Sequence, residues 1–568
     1  MTQKNIITIA GPGAGKTRRL KNSILEDLEK GVNPFSINAI SFTKTAANEI
    51  SRRTDYQVVG STIHKLANRI LSLASKSRGT KAPMVVGPEK AKEYIKLAIM
   101  DSGYKFVDEN EALESISQMR EMGADPKTFR PEIKTIWKNY RDRMVADNCI
   151  DLTGLLEKAA RELKDESMAM YFSGGRNYLD EAQDFNPFLD LPIILELMSR
   201  GLGTNIFASP SQLIFDFRGS DWEMFTSKLP ADIEIEYMRE NHRSTPEIVA
   251  AGQALAGQDA KGMIATRQSL GLPVKIAKLN SPEEESELVA LSIGRQIKEG
   301  VHPKNIAVLG RTWSYLYKIQ NALRVYHIPY NMGKDQMDLY ERPEVMALCE
   351  YIELALNPVY EDGLEMIINF PPAGIGMRTR AMLRGLRKLT WNDMIKVLGS
   401  EVYRDQVAER IKFLLDAREY LDEIASTKKL KVDEKVSRII DISGISRFVN
   451  EEADFEGLAA LEQIKLSSKE FGGLKEMVTY LRDQMVKGQA VKESVTLKTI
   501  HGSKGEEWDH VYLPGWNEGL LPLTDSTIAS ENRLAFVAVT RPRDSLVISC
   551  NKSAPASRFL GNIPAVYI

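Results

Sequence analysis

The amino-acid sequence predicts an α/β protein in which two blocks of alternating strands and helices are each interrupted by a long helical segment. Short apolar runs of strand length alternate with helical periods from residue 6 to about 70, and the alternation returns after residue 246. Such alternation is typical of parallel sheets covered by helices on both faces. Two charged stretches, about 72–171 and 377–488, are helical in period and have few or no strand candidates. We therefore predict two α/β domains, each with a mainly helical insertion.

The first predicted domain joins two separate parts of the chain. Its strand candidates are Ile6–Ala10, Asn38–Phe42, Val58–Gly60, Asn177–Asp180, Asn205–Ala208 and Ile233–Tyr237. Three of them precede the first helical stretch and three follow it. We predict that residues 1–71 and 172–245 form this domain and that residues 72–171 are its helical insertion.

The second predicted domain has the same organisation and begins near Pro246. It contains a predicted helix over Pro282–Glu299, and its strand candidates are Val274–Leu279, Ile306–Leu309, Val495–Thr499, Val511–Leu513 and Ser545–Ile548. We predict that residues 246–376 and 489–568 form this domain and that residues 377–488 are its insertion. A chain of 568 residues is long enough for about three or four domains, which fits this division.

Composition excludes several classes of protein. The formal net charge is −2, so any contact with a nucleic acid must come from a local groove rather than from the whole surface. The three cysteines lie too far apart for a disulfide framework or a metal cluster. The N-terminus runs directly into the first predicted strand, and no run of about eighteen apolar residues occurs. We expect a cytoplasmic protein without a membrane span.

The segment from Ala10 to Thr17 has the composition of a phosphate-binding loop. It follows the first strand candidate, precedes a helical segment, and contains Gly11, Gly13 and Gly15. Glycines allow successive backbone N–H groups to point at phosphate oxygens, and the helix N-terminus adds positive charge. Lys16 is expected to reach the β- and γ-phosphates, and the Thr17 hydroxyl to hold Mg²⁺. Although Ala10 replaces the first glycine of the usual pattern, these residues predict a nucleoside-triphosphate site.

Two adjacent carboxylates follow another strand candidate. Asp180 and Glu181 open the segment Asp-Glu-Ala-Gln-Asp at the end of the strand that begins at Asn177. Carboxylates at a strand terminus suit two tasks in nucleotide hydrolysis. We expect Asp180 to hold Mg²⁺ and Glu181 to orient or deprotonate the attacking water.

These two segments and seven others, in this order, resemble the UvrD/Rep-type helicases of superfamily 1, a family that includes PcrA-like enzymes. The segments extend over nearly the whole chain, and a further one, Ser557–Leu560, also looks family-like. In chain order the nine are Ala10–Thr17, Ile40–Ile50, Ser61–His64, Asp180–Asp184, Gln212–Gly219, Asn241–Ser244, Ile367–Pro371, Thr499–Trp508 and Phe536–Arg541.

The resemblance implies two RecA-like motor domains with ATP in the cleft between them. By the same resemblance, Gln212 senses the γ-phosphate, and Arg243 and Arg541 stabilise phosphoryl transfer as arginine fingers do. Glu507 contacts the ribose, and Arg18 matches a family arginine near the base. Closure on ATP and opening after hydrolysis would then move single-stranded DNA through a groove across both domains.

The resemblance also implies a track for nucleic acid. Three phenylalanines match positions at which bases stack, and such stacking is worth roughly 1–3 kcal/mol per base whatever the sequence. Four polar side chains match positions that contact the backbone or the bases. The stacking residues are Phe42, Phe215 and Phe217, and the polar ones are Thr62, His64, Arg218 and His501.

The sequence departs from the family pattern at several positions. Only nine residues precede Ala10, so the upstream segment whose glutamine reads adenine in the family is absent, and relaxed base recognition is expected. His242 stands where the family has a larger aromatic ring, and we expect it to stack on the nucleotide base. Ser209-Pro210-Ser211 replaces acidic residues before Gln212, and Glu506 precedes Glu507 where a hydrophobic residue is usual.

The function expected from the resemblance is that of an ATP- and Mg²⁺-dependent DNA translocase and helicase, moving 3′ to 5′, in replication, repair or recombination. The expected partners are single-stranded DNA, junctions of single- and double-stranded DNA, and replication or recombination proteins. A monomer or weak oligomer is expected. Two alternatives stay open: a motor that strips proteins from single strands or regulates recombination with little unwinding, and a motor subunit of a larger complex.

Overall fold

The strands pair in parallel throughout the part of the chain that the structure describes. The computed structural model describes residues 4–332, 339–372, 389–398, 405–451, 455–487 and 493–568. Its strands are β1 (Lys4–Ala10), β2 (Ile37–Ser41), β3 (Gly60–Thr62), β4 (Met84–Val85), β5 (Cys149–Ile150), β6 (Arg176–Asp180), β7 (Gly203–Ala208), β8 (Glu234–Met238), β9 (Glu240–Asn241), β10 (Ile264–Ala265), β11 (Lys275–Leu279), β12 (Ile306–Gly310), β13 (Tyr330–Asn331), β14 (Val495–Thr499), β15 (Trp508–Leu513), β16 (Pro542–Asn551) and β17 (Val566–Tyr567).

Helices connect these strands, as expected for parallel sheets, in which each connection must cross from one end of the sheet to the other. They are α1 (Lys16–Glu29), α2 (Lys44–Arg53), α3 (Ile63–Ser77), α4 (Pro88–Ser102), α5 (Glu109–Glu121), α6 (Pro131–Ala146), α7 (Leu152–Glu162), α8 (Glu166–Phe172), α9 (Asp190–Arg200), α10 (Trp222–Ser227), α11 (Pro246–Leu255), α12 (Pro282–Lys298), α13 (Trp313–Val325), α14 (Pro343–Leu356), α15 (Leu364–Ile367), α16 (Trp391–Leu398), α17 (Asp405–Ser426), α18 (Val432–Ser443), α19 (Ile445–Glu451), α20 (Phe455–Ser467), α21 (Leu474–Lys487) and α22 (Ile528–Val539).

The first sheet has six strands in the order β3-β2-β6-β7-β1-β8. In strand β1, which lies between β7 and β8, the four residues from Ile7 to Ala10 are all buried, as expected for a strand covered on both faces. Ile7, Ile9 and Ile40 pack with helices α3, α7 and α9 on one face. Ala39 and Phe207 pack with helices α1 and α2 on the other. The first predicted α/β layer therefore has its expected architecture.

The second sheet has seven strands in the order β13-β14-β12-β15-β16-β11-β17. All five residues of its central strand β12 are buried. Ile306 and Val308 contribute to a core with α12, α13 and the inserted helices, whereas Ala307 and Leu309 contribute to a core with α11 and α22. Both faces are thus covered by helices, and the fold is α/β as predicted.

Between residues 72 and 171 the chain is mainly helical. Helices α4, α5 and α6 enclose a core of their own, whose members include Ile95, Ile116, Ile136 and Tyr140. The stretch also contains the two-stranded sheet of β4 and β5. These two strands were not predicted, since two residues are too short a run to show any periodicity.

The inserted helices of the second half pack directly onto the second sheet. Residues from the inserted helices α17, α18, α20 and α21 share one hydrophobic core with helix α14 and with strands β12 and β14. The described residues from 389 to 487 are helical between short connections, as the pattern predicted. Membership of one core ties the position of this insertion to the sheet from which it emerges.

The predicted domain borders stay predictions. The borders at 376/377 and 488/489 lie outside the described residues, and those at 71/72 and 171/172 fall inside helices α3 and α8.

Within the described part of the chain, none of the helices has both the length and the apolar composition needed to cross a membrane.

One strand is shifted from its predicted position. The sequence predicted Val58–Gly60, but Val59 is 64% exposed, and the strand runs over Gly60–Thr62. Gly60 lies so close to helix α2 that a Cβ atom there would stand 2.1 Å from the carbonyl oxygen of Ala47. A glycine is required for this close contact between strand and helix.

Candidate nucleotide and nucleic-acid site

The phosphate-loop candidate joins strand β1 to helix α1. Strand β1 ends at Ala10, and α1 begins at Lys16 with Gly15 as its N-terminal cap in a left-handed conformation at φ 83°. Gly13 has φ 71°, and a Cβ atom on it would lie 2.7 Å from the Cβ of Arg243. The loop therefore has the backbone conformation that glycine favours and leaves no space for a side chain at Gly13.

The side chain of Lys16 already has two partners. Its Nζ donates to Ser209 Oγ at 2.8 Å and lies 3.0 Å from Glu181 Oε1. Lys16 is buried, so these contacts compensate much of the cost of removing its charge from water. The Ser209 hydroxyl in turn donates to the carbonyl of Ala10, which ties the lysine to the start of the loop.

Asp180 and Glu181 lie at the C-terminal end of β6, and their surroundings shift their pKa values in opposite directions. Burial, with the adjacent Glu181 charge, raises the pKa of Asp180 to about 7. Burial also disfavours the charged form of Glu181, but Lys16 and Lys504 outweigh it and lower its pKa to about 2. Glu181 also has φ 55°, a left-handed conformation that is uncommon outside glycine.

Gln183 holds Glu181 in place, a contact that the sequence did not reveal. Its Nε2 donates to Glu181 Oε2 at 2.6 Å, and its Oε1 accepts from the backbone N–H of Ser209 at 2.8 Å. The side chain of Gln183 is completely buried. One amide therefore connects the end of β6 with the end of β7 beneath the phosphate loop.

Gln212 presents a hydrogen-bond donor without a partner. It ends a short 3₁₀ turn that starts at Pro210, and its Nε2 is buried and donates to no atom of the described residues. Buried donors are almost always paired in folded proteins. An unpaired amide at the edge of this cleft is suited to an acceptor supplied by a ligand.

Arg243 comes from the segment that leads into the second sheet. Its guanidinium forms an ion pair with Glu507 and donates from NH1 to the carbonyl of Thr540 at 3.2 Å. Burial lowers the pKa of Arg243, and the carboxylate of Glu507 opposes this shift. Glu507 also pairs with Arg543.

Asn241 fastens this segment to the phosphate loop. Its Nδ2 donates to the carbonyl of Pro12 at 2.7 Å, while its Oδ1 accepts from the backbone N–H groups of Arg243 and Ser244 at 2.9 and 2.8 Å. The backbone N–H of His242 donates to the carbonyl of Gly13 at 3.0 Å. The loop and the arginine-bearing segment are therefore directly linked.

Arg541 is 2% exposed and its guanidinium lies among backbone carbonyls. Its Nε donates to Val537 O at 2.9 Å, its NH1 to Glu506 O at 3.1 Å and its NH2 to Thr540 Oγ1 at 3.3 Å. Burial, with the neighbouring Arg243 charge, lowers the pKa of Arg541 to about 9. The group is therefore still mainly charged at neutral pH.

The remaining candidates for nucleotide contacts lie toward the surface. Arg18 is exposed on the first turn of α1, and Thr17 is half-buried beside it. The ring of His242 is exposed, with its Nδ1 2.8 Å from Thr266 Oγ1 and its Nε2 3.5 Å from Glu240 Oε2.

The aromatic candidates form a continuous row. The Phe42 and Phe215 rings stack with centroids 5.3 Å apart, and Phe215 meets Phe217 edge-on at 6.0 Å. Phe217 meets the ring of His501 at 6.1 Å, and the guanidinium of Arg218 lies 5.5 and 5.6 Å from the Phe215 and Phe217 centroids. Phe217 is 59% exposed, so its ring is available to a ligand.

The two polar candidates near the row differ in their surroundings. Thr62 caps helix α3, its hydroxyl accepting from the backbone N–H of Lys65 at 3.3 Å. His64 is exposed and, with Phe42 and Arg218, lines a cavity of about 650 Å³ between the first sheet and its helical insertion. Thr62 thus has a structural task, whereas His64 faces an open space.

Lys504 connects the cleft with the aromatic row. Its Nζ donates to both carboxylate oxygens of Asp184 at 2.7 and 2.6 Å and to the carbonyl of Gln212 at 2.6 Å. The same atom lies 5.0 Å from the centroid of Phe215. Burial raises the pKa of Asp184 to about 6 although Lys504 opposes the shift.

Comparison with known families agrees with this geometry. The UvrD/REP helicase N-terminal domain matches residues 1–230, and the UvrD-like helicase C-terminal domain matches residues 237–553. The chain belongs to the UvrD/REP helicase family. The resemblance on which the sequence analysis depended is thereby confirmed.

Bacterial relatives in this family extend over almost the whole chain. The DNA helicase II of Rickettsia typhi is 26% identical over 630 residues, covering 99% of this chain and 94% of the relative. The ATP-dependent DNA helicase PcrA of Staphylococcus epidermidis is 24% identical over 631 residues, covering 99% of this chain and 85% of the relative. PcrA of Staphylococcus aureus is 24% identical over 621 residues, with coverages of 99% and 84%.

The residues of this UvrD/REP family member fit a magnesium nucleotide. The unpaired Gln212 amide and the cradle at Gly13, which a side chain would fill, both suit phosphate oxygens. A carboxylate on Asp180 and a hydroxyl on Thr17 are the oxygen ligands that Mg²⁺ prefers. The remaining positions around such an ion would belong to phosphate oxygens and water.

Proposed function

We propose that this protein is an ATP-dependent DNA helicase that moves along single-stranded DNA and acts in replication, repair or recombination. Its family and the names of its relatives support the activity. The observation that carries the proposal is the position of Lys504, which contacts Asp184 near Glu181 and also lies against the ring of Phe215. Lys504 is therefore a direct physical link between the nucleotide cleft and the aromatic row.

Phosphate binding and proton transfer are assigned to the first domain. Mg²⁺-ATP, when bound, supplies the phosphoanhydride bond whose hydrolysis releases the energy for movement. We assign Lys16 to the β- and γ-phosphates, and Asp180 and Thr17 to Mg²⁺. Glu181 accepts a proton from the attacking water at Oε1 or Oε2. When Lys16 contacts a phosphate instead of Glu181, Glu181 loses one of the two lysine charges that lower its pKa and becomes a stronger base.

The charges that develop on the phosphate are assigned to residues on both sides of the cleft. The unpaired Nε2 of Gln212 donates to the γ-phosphate, and Arg243 and Arg541 add positive charge. Glu507 binds the ribose, Arg18 lies near the base, and His242 stacks on it. These roles rest on the resemblance to the family.

Arg541 has donors left for this task. A guanidinium carries five N–H groups. Three hydrogen bonds to the described residues use three of them, which leaves two. A small movement of the second domain would therefore let Arg541 donate to a phosphate without losing its present partners.

Single-stranded DNA is assigned to the row from Phe42 to His501. Bases stack on the exposed ring of Phe217 and on its neighbours Phe42 and Phe215, while Arg218, His64 and His501 contact the DNA backbone or bases. Thr62 helps by fixing the start of helix α3. The direction, 3′ to 5′, rests on the family resemblance, as do binding at junctions and action as a monomer or weak oligomer.

The test measures ATP hydrolysis by the purified protein with Mg²⁺, alone and with single-stranded DNA or RNA. We expect strong stimulation by DNA, and unwinding of duplexes that carry a 3′ tail. Stimulation by RNA alone, or by neither polymer, would contradict the assignment of the aromatic row to DNA.

Unwinding confined to 5′-tailed duplexes would overturn the proposed 3′ to 5′ direction of movement. Displacement of a bound protein without any unwinding would make the chain a stripping motor.

A further inference from the structure

A short segment of the second domain runs beside the loop that carries Arg243. In residues 264–267, strand β10 pairs in parallel with β9, and the backbone N–H of Thr266 donates to the carbonyl of Asn241 at 3.0 Å. The Thr266 hydroxyl also contacts the ring of His242 at 2.8 Å. The segment thus follows the arginine-bearing loop closely and ends at Arg267.

The guanidinium of Arg267 joins the main chains of two loops. Its NH1 donates to the carbonyl of Arg243 at 2.6 Å and to the carbonyl of Arg543 at 3.1 Å. Its NH2 donates to Asp544 Oδ1 at 2.7 Å. Arg543 follows Arg541 by two residues, so one side chain connects the backbones from which both candidate arginine fingers extend. The planar fork of a guanidinium suits such multiple contacts better than the single charge of a lysine.

Other links join the same two loops without an intermediary. Ser244 Oγ donates to the carbonyl of Pro542 at 2.7 Å, and the backbone N–H of Thr245 donates to the carbonyl of Arg543 at 3.1 Å. Loss of Arg267 would therefore loosen the geometry of the loops without separating them.

We propose that Arg267 is a positioning residue for Arg243 and Arg541. The proposal rests on the proposed function, in which these two arginines stabilise phosphoryl transfer. By holding the carbonyls of Arg243 and Arg543 together, Arg267 sets the distance between the two guanidinium groups. A displaced charge lowers the rate of the chemical step while leaving nucleotide binding almost unchanged.

The first experiment measures DNA-stimulated ATP hydrolysis by Arg267→Ala and Arg267→Lys. We expect Arg267→Ala to lower kcat about tenfold with KM for ATP unchanged within about twofold. Arg267→Lys should recover part of the rate, since an ammonium can reach one carbonyl but cannot hold both carbonyls and Asp544. The matched control is Arg558→Ala, which removes another arginine–carboxylate pair of the second domain, with Glu518, outside the two loops.

The second experiment tests whether Arg267 acts through Arg243 and Arg541. We compare a variant that lacks both fingers, Arg243→Ala with Arg541→Ala, with the same variant that also carries Arg267→Ala. If Arg267 acts only through these two arginines, its loss should lower the single-turnover rate less than threefold when both are absent. A full tenfold further loss would overturn the proposal, because independent sites add in free energy.

Binding of a transition-state mimic gives a readout that does not depend on turnover. Arg267→Ala should bind ADP with aluminium fluoride about tenfold more weakly and ADP alone normally, both measured with a fluorescent ADP. Equal weakening of both, or a melting temperature well below that of Arg558→Ala, would mean that Arg267 only supports folding. If Arg243→Ala hydrolyses ATP at the wild-type rate, the proposed function of Arg243 fails instead.

Discussion

The nucleotide cleft and the aromatic row differ in how they are prepared for a ligand. In the cleft, charged side chains are buried or half-buried and already paired, Lys16 with Glu181 and Arg243 with Glu507. In the row, aromatic rings support one another, and Phe217, between Phe215 and His501, is open to solvent. The cleft must therefore exchange internal ion pairs for contacts with a ligand, whereas the row is ready to bind.

This difference has an energetic consequence. Removing one member of a buried ion pair leaves the other charge without a partner, which costs more than the pair itself contributes. Removing an exposed ring loses only the stacking that it offers. Substitutions in the cleft should thus have large effects on chemistry, and substitutions in the row should have moderate effects on DNA affinity.

The largest effect is expected for Lys16→Ala. The phosphate charge loses its main side-chain partner, and Glu181 loses the ammonium that keeps it ionised. We expect kcat for ATP hydrolysis to fall by about 10²–10³-fold or more. Steady-state hydrolysis with saturating single-stranded DNA measures the loss. A rate close to that of the wild type would refute the assignment of this loop to phosphate.

Gln183→Met should come next and would sharpen the contrast, because Gln183 is completely buried behind Glu181. The substitution keeps the volume but removes the hydrogen bonds to Glu181 and Ser209. We expect kcat to fall about tenfold through misorientation of the base, with KM for ATP little changed. Single-turnover hydrolysis gives the chemical rate. If KM rises while kcat holds, Gln183 serves binding rather than orientation.

Phe217→Ala tests the row. Its exposed ring should stack on a base, so DNA affinity should fall roughly tenfold, while basal hydrolysis without DNA stays the same. Fluorescence anisotropy with labelled single-stranded DNA gives the affinity. Phe42→Ala is the matched comparison, because Phe42 is half-buried and also packs against buried Phe185. Phe42→Ala should lower the melting temperature as well as the DNA affinity. If Phe217→Ala loses basal and DNA-stimulated hydrolysis equally, Phe217 is a core residue rather than a stacking residue.

The smallest effect is expected for the titration of His501. Burial and the nearby charge of Arg311 lower the pKa of His501 to about 4, so the ring is neutral above about pH 5. The His501 ring gains a proton only as the pH falls toward 4, so its charge does not change between pH 6 and 8. DNA affinities of the wild type and His501→Asn should therefore change in parallel over that range. A step near pH 6.5 confined to the wild type would contradict this.

The sequence predicted the large features of the fold because they depend on local patterns. Strands β1 and β12 contain apolar runs that end near glycines, and β6 ends at the carboxylates of a recognised motif. Their positions agree with prediction to within about two residues. Strands β4 and β5 were missed since neither has enough residues to form a pattern.

Residues of the site could be predicted only where they lie inside a recognised motif. Gln183, Asn241 and Lys504 lie inside recognised segments, yet their contacts join positions 26 to 320 residues apart. Arg267 lies outside every segment, and its partners at Arg243 and Arg543 come together only in the folded chain. No periodicity or spacing in the sequence encodes such pairs.

The strand orders also imply a sequence of events during synthesis. All strands of the first sheet have been synthesised once β8 is complete at Met238. In the second sheet, β11, β12 and β13 never neighbour one another, and each pairs only with strands from β14 onward. This sheet therefore gains its first hydrogen-bonded strand pair only after residue 495, when most of the chain has been made. While residues 239 to 494 are being added, the first sheet has all its strands and the second has no strand pair. The apolar strands of the second sheet have to be kept from aggregating until β14 and the later strands arrive.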